Sequence, residues 1–128
     1  MTMDMAYYKK IRDGEAYKNA AGWLVHLGIL KTNYLKPILR VAKLTEFLEA
    51  GEAEPRIFEV LPALIFHLPE AVRIDCEIPP ELQKGLDAMK NNGEIGTFYK
   101  MPWRGAERWK NNPVITEYAK RRLGEVEN

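Results

Sequence analysis

Between Pro55 and Leu68 the chain places Ile57, Phe58, Val60, Leu61, Leu64, Ile65, Phe66 and Leu68 so densely that no polar stripe is left. A helix that is apolar on nearly every side has to lie in the middle of a molecule, with other elements wrapped around it. At about 1.5–3 kcal/mol for each large side chain taken out of water, this one segment supplies much of the core stabilisation. Pro55 suits a first helical position. Pro62 removes one backbone donor and crowds the carbonyl four residues back, which predicts a kink, and Pro69 ends the helix. The rest of a 128-residue chain suffices to surround such a helix once, so a single globular domain over residues 1–128 is expected.

On either side of this helix the hydrophobic period identifies the partners. Ala16, Ala20, Trp23, Leu24 and Leu27 recur at three- and four-residue spacing, predicting a helix over Glu15–Leu27 that stops at Gly28. A short connector, Ile29–Asn33, leads to a second helix reaching Ala50, with Pro37 in its first regular turn. Ile38, Val41, Leu44 and Leu48 fall on one side of that helix and Lys36, Arg40 and Lys43 on another. After Pro69 the period changes to two. Val72, Ile74, Cys76 and Ile78 alternate with Arg73, Asp75 and Glu77, the pattern of a strand with one buried face. Glu81–Asn91 reads as a helix, Ile95–Lys100 as a short strand expected to pair with the first, and Pro113–Leu123 as a last helix. The expected fold is therefore mainly α (α+β): a compact helical domain of four to five helices with a minimal two-stranded sheet.

Charge is partitioned along the chain although the formal net charge is only +1. Residues 1–43 carry eight basic groups against three acidic ones, residues 44–94 four against eleven, and residues 95–124 seven against two. Two basic blocks that fold together would focus a positive field over one surface; facing the acidic middle, they would neutralise it instead.

Several function classes are disfavoured. The longest apolar run, Val60–Phe66, is far short of the roughly 18–20 residues of a membrane span, and Met1–Arg12 contains no apolar stretch of a secretory leader. A cytoplasmic protein is expected. Serine is absent, and the threonines have no base beside them in a recognisable motif. Cys76 lies between Asp75 and Glu77, which disfavours a reactive thiolate. His26 and His67 fall in different helices with no metal-ligand spacing, and Glu46 and Glu49 read as a solvated helix face. No phosphate-binding glycine loop occurs. Neither a catalytic residue, a metal nor a cofactor is assigned.

Two features favour binding. The helix–connector–helix over Glu15–Ala50, with Lys36, Arg40 and Lys43 on its second helix, has the outline of a helix-turn-helix reader. The stretch from Phe98 to Lys110 interleaves aromatic and basic residues, Trp103, Arg104, Arg108 and Lys110 among them. Rings of this kind stack on bases while the cations neutralise phosphate, and the same mixture makes protein hot spots. Val72–Met89 resembles the strand-then-helix opening of ribbon-helix-helix repressors. There the outward strand residues read bases, whereas Asp75 and Glu77 in this chain would repel them, so no membership follows.

The function expected from the sequence is a non-catalytic intracellular binding protein, a small nucleic-acid-associated regulator or antitoxin-like protein, acting through Lys36, Arg40, Lys43, Trp103, Arg104, Arg108 and Lys110. The alternative is a protein–protein interaction module, or a homodimeric structural protein, without nucleic-acid binding.

Overall fold

The computed structural model describes residues 5–90, 96–98, 101–103 and 117–126. Among them are six α-helices: α1 (Met5–Arg12), α2 (Glu15–His26), α3 (Leu44–Ala53), α4 (Arg56–His67), α5 (Pro80–Lys90) and α6 (Glu117–Leu123). A single 3-10 turn, Pro69–Ala71, follows α4. Four very short strands are also found among the described residues. β1 (Ala42–Lys43) pairs in parallel with β2 (Val72–Arg73), and β3 (Gly96–Phe98) pairs antiparallel with β4 (Met101–Trp103). The molecule is mainly helical with minimal sheet, as its sequence implies.

The apolar segment forms α4, unbroken through Pro62, and buries Ile57, Phe58, Val60, Leu61 and Leu64. Tyr17, Trp23 and Leu24 of α2, Leu44 and Phe47 of α3, Leu82 of α5 and Ala119 of α6 join it in one core. Trp23 is tied as well as buried, its indole N–H donating to the Ala71 carbonyl at 2.8 Å. Helix α2 ends as Gly28 suggests. Gly28 takes φ +77, its N–H donates to the Val25 carbonyl, and the Ile29 N–H reaches back to Leu24, which satisfies carbonyls the helix would otherwise leave open.

Three expectations need correction. The second helix does not begin near residue 34: residues 31–41 are non-helical, and α3 starts only at Leu44. Pro37 pushes Lys36 toward extended backbone, and the Ile38 N–H donates to the Gly22 carbonyl at 3.0 Å. The connector thus crosses α2 at a residue with no side chain. A Cβ on Gly22 would collide with the Ile38 side chain and stand 2.8 Å from the Lys36 carbonyl oxygen.

The strand predicted over 72–78 is only two residues long. Asp75 leaves the ladder to hold the N-terminus of α3, accepting from the Thr45 amide at 3.0 Å and the Thr45 hydroxyl at 2.5 Å, while Ile74 is 49% exposed. The expected pairing of the two strands also fails. β2 takes the residues just before α3 as its partner, and β3 pairs with a strand only two residues further along the chain. Beyond these three, α1 has no counterpart among the expected elements. It is a short basic helix ending in Lys9, Lys10 and Arg12, cations that complement its C-terminal dipole.

Candidate binding surface

All eight basic side chains of residues 1–43 are exposed: Lys9, Lys10, Arg12, Lys18, Lys31, Lys36, Arg40 and Lys43. Among the described residues none of them forms an ion pair with a carboxylate; the ion pairs found there are Arg56–Glu54, Lys120–Glu117 and Arg122–Glu125. Glu46, a candidate partner from the acidic middle, is engaged otherwise. One of its oxygens accepts from the Lys43 backbone N–H at 3.0 Å and the other from the Asn19 amide at 2.6 Å, fastening α2 to the start of α3.

A cleft of about 710 Å³ opens within this basic block. Helix α1 contributes Lys9 and Arg12, the start of α2 contributes Tyr17 and Lys18, the connector Tyr34 and Leu35, and the end of α3 Glu52 and Ala53. Local structure explains the convergence. Asp13 and Gly14 break the chain between α1 and α2, and the Gly14 N–H donates to the Ile11 carbonyl at 3.0 Å, turning α1 back alongside. The Arg12 guanidinium donates at 3.3 Å to the Ala53 carbonyl, one of the acceptors that the last turn of α3 leaves without a helical partner. Glu54, just past that turn, is buried and accepts two hydrogen bonds from Arg56, at 2.6 and 3.2 Å.

Tyr17 sits at the bottom of the cleft, 1% exposed, and Tyr34 at its mouth, 66% exposed. Burial first, and then the nearby Tyr34 phenol, push the Tyr17 pKa up. Even so, the two hydroxyls do not meet in hydrogen-bond geometry, and the Tyr17 oxygen has no partner among the described residues. A buried hydroxyl without a partner costs about 1–3 kcal/mol, a cost that a group hydrogen-bonded to it would remove. Chemically, the cleft offers three cations, the carboxylates Asp13 and Glu52, two phenols and an apolar wall. The phenols suit a flat ligand, and the cations outnumber the carboxylates by one.

The residues singled out from the sequence fare differently. Lys36, Arg40 and Lys43 are exposed but share no helix face: Lys36 and Arg40 lie on the connector, and Lys43 in β1 at the head of α3. The geometry of a helix-turn-helix reader is therefore lost, because the helix that should present these cations does not exist. Lys36 directly follows the cleft residues Tyr34 and Leu35 along the chain. Trp103 belongs to β4 with its backbone opposite Gly96. Arg104, Arg108 and Lys110 lie outside the described residues.

The sequence reading missed Lys9, Arg12, Lys18, Tyr17 and Tyr34. A usable signal existed in Tyr7-Tyr8-Lys9-Lys10-Ile11-Arg12, which interleaves rings and cations just as the 98–110 stretch does.

The remaining reactive groups are scattered. Cys76 is half-buried, and burial followed by the Asp75 charge pushes its thiol pKa up. His67 is exposed at the end of α4, where partial burial and then Lys120 push its pKa down. His26 is buried, and its ring is taken up by Arg122. Among the described residues no group of three or more His, Cys, Asp or Glu side chains could hold a metal ion, and no helix is long and apolar enough to cross a membrane. Compared with known protein families, curated proteins and solved structures, the chain matches none.

Proposed function

We propose that this chain is a non-catalytic binding protein, a small nucleic-acid-associated regulator of antitoxin-like size, that grips the phosphate backbone with the cations of its N-terminal block. The observation that carries this reading is the state of those eight cations, all exposed and, among the described residues, none paired with a carboxylate. Had they served only to balance the acidic middle, ion pairs to Glu46, Glu49 or Glu52 would be expected among the described residues. Unpaired surface cations raise the local potential and attract polyanions. Lys9, Arg12 and Lys18 around the cleft, with Lys36, Arg40 and Lys43 along the connector and β1, are the residues assigned to phosphate.

The test is fluorescence anisotropy of labelled oligonucleotides across a salt series. Each phosphate contact releases condensed counterions, so affinity should fall steeply between about 50 and 200 mM salt. The double variant Lys36→Glu/Arg40→Glu should bind more weakly and with a shallower salt slope, while its melting temperature stays that of the parent chain. Flat salt dependence overturns the proposal. So does a chain that ignores oligonucleotides and instead self-associates or binds a protein in a manner insensitive to these reversals.

A further inference from the structure

Nucleic acid can present two quite different faces to a basic protein, the outside of a duplex or the unstacked bases of a single strand. We infer that the cleft between α1, the start of α2 and the connector receives one unstacked base of a single strand, with the strand's phosphates on Lys9, Lys18 and Arg12. This rests on the proposed function above and narrows it to a substrate class.

Three independent features lead there. The first is size. A volume of about 710 Å³ falls within the range of small-ligand sites, large enough for a nucleotide and far too small for any duplex element. The second is the pair of phenols at different depths. Tyr34, 66% exposed, offers a ring face at the mouth, where a base can stack without regard to its identity. Tyr17 lies beneath with a hydroxyl that is buried and, among the described residues, unpartnered. A base edge carries donors and acceptors in its own plane, so a ring stacked on Tyr34 and turned inward brings such a group toward that hydroxyl. The third is the placement of charge. Lys9 and Arg12 come from α1 and Lys18 from α2, so cations flank the opening from two elements, as a backbone passing over it requires. Asp13 and Glu52 also line the cleft. They would repel a phosphate driven inside, which favours entry by the base and leaves the phosphate at the rim.

The experiment compares a short oligothymidylate, the same sequence as a duplex, and thymidine monophosphate, each titrated against the full chain at low salt. The single strand should bind about tenfold more tightly than the duplex, within the range that stacking of one base on an aromatic ring supplies. Tyr34→Ala should remove most of that advantage and leave duplex binding unchanged. Tyr17→Phe, which keeps the ring and deletes only the oxygen, should lower single-strand affinity several-fold with no loss of fold. Equal affinity for strand and duplex, or single-strand affinity unmoved by both substitutions, overturns base insertion while leaving phosphate binding intact. Thymidine monophosphate bound as tightly as the oligomer assigns the cleft to a free nucleotide and overturns the strand reading. Absence of binding to all three overturns the parent proposal as well.

Discussion

Helix α2 carries a buried polar ring near each end, and the two have opposite surroundings. Tyr17 and His26 are each 1% exposed. His26 is completely answered. Its Nε2 lies 2.9 Å from the Arg122 carbonyl oxygen and its Nδ1 3.2 Å from the Arg122 guanidinium, while Arg122 Nε donates to the His26 carbonyl at 3.2 Å. A carbonyl can only accept and a guanidinium can only donate, so these partners assign the proton to Nε2 and the lone pair to Nδ1. The ring also stacks on Trp23, centroid to centroid at 5.5 Å. Tyr17 has the Tyr34 phenol nearby but makes no hydrogen bond of ordinary geometry among the described residues, although it lies in the same helix at the same depth. A group whose every valence is used serves the fold. One left open at the bottom of a cleft, within reach of unpaired cations, is available to a ligand.

The contrast breaks most visibly at the closed end. His26→Ala should cost about 2–4 kcal/mol, because it opens a cavity against Trp23 and leaves the Arg122 carbonyl and guanidinium short of partners. Urea denaturation measures it directly. A loss below about 1 kcal/mol would mean that the Arg122 network does not hold α6 to the body, and the division between a structural end and an open end would fail.

A smaller effect, away from both ends, separates capping from binding. Asp75 holds the N-terminus of α3, and hydrogen bonds from the Thr45 hydroxyl and amide push its pKa below the ordinary 3.8. Since the folded carboxyl is the stronger acid, the unfolded chain takes up its proton first. The contribution is therefore fully present above that ordinary value and fades as pH falls through the lower, folded one. Asp75→Asn should flatten the acid limb of a stability–pH curve and, because it removes a negative charge near Lys43, should not weaken oligonucleotide binding at neutral pH. The carboxylate is open to solvent, so the change will be modest.

How far these features could be read in advance depends on how local their causes are. Helices α2, α4 and α5 follow from side-chain period and from stops such as Gly28 and Pro69, all contained in their own segments. The connector departs from its expected helix because Ile38, Val41, Leu44 and Leu48 keep a helical period that two distant facts override. Pro37 disfavours helix at the residue before it, and Gly22 in α2 leaves room for the extended chain to cross. A glycine inside a helical pattern is the signal that such a crossing exists, but it does not say what crosses. Alternation over 72–78 was legible, yet Asp75 is drawn away by Thr45, thirty positions earlier. The cleft was least legible of all. Its walls come from residues 9–18, 34–35 and 52–55, and no local pattern states that these segments meet.

The open end gives the smallest stability effect and the sharpest discrimination. Tyr17→Phe removes a hydroxyl with no partner among the described residues, so the fold loses no hydrogen bond there and sheds a buried polar atom. Stability should stay within about 1 kcal/mol of the parent chain, on the stabilising side, in contrast to the loss expected at His26. A substitution that leaves stability level or higher while lowering single-strand affinity isolates the oxygen as a ligand contact, since a merely structural group would move both quantities the same way. If Tyr17→Phe instead destabilises as much as His26→Ala, the hydroxyl has a partner within the fold. The two ends of α2 would then be alike, and the cleft would lose its claim to a ligand.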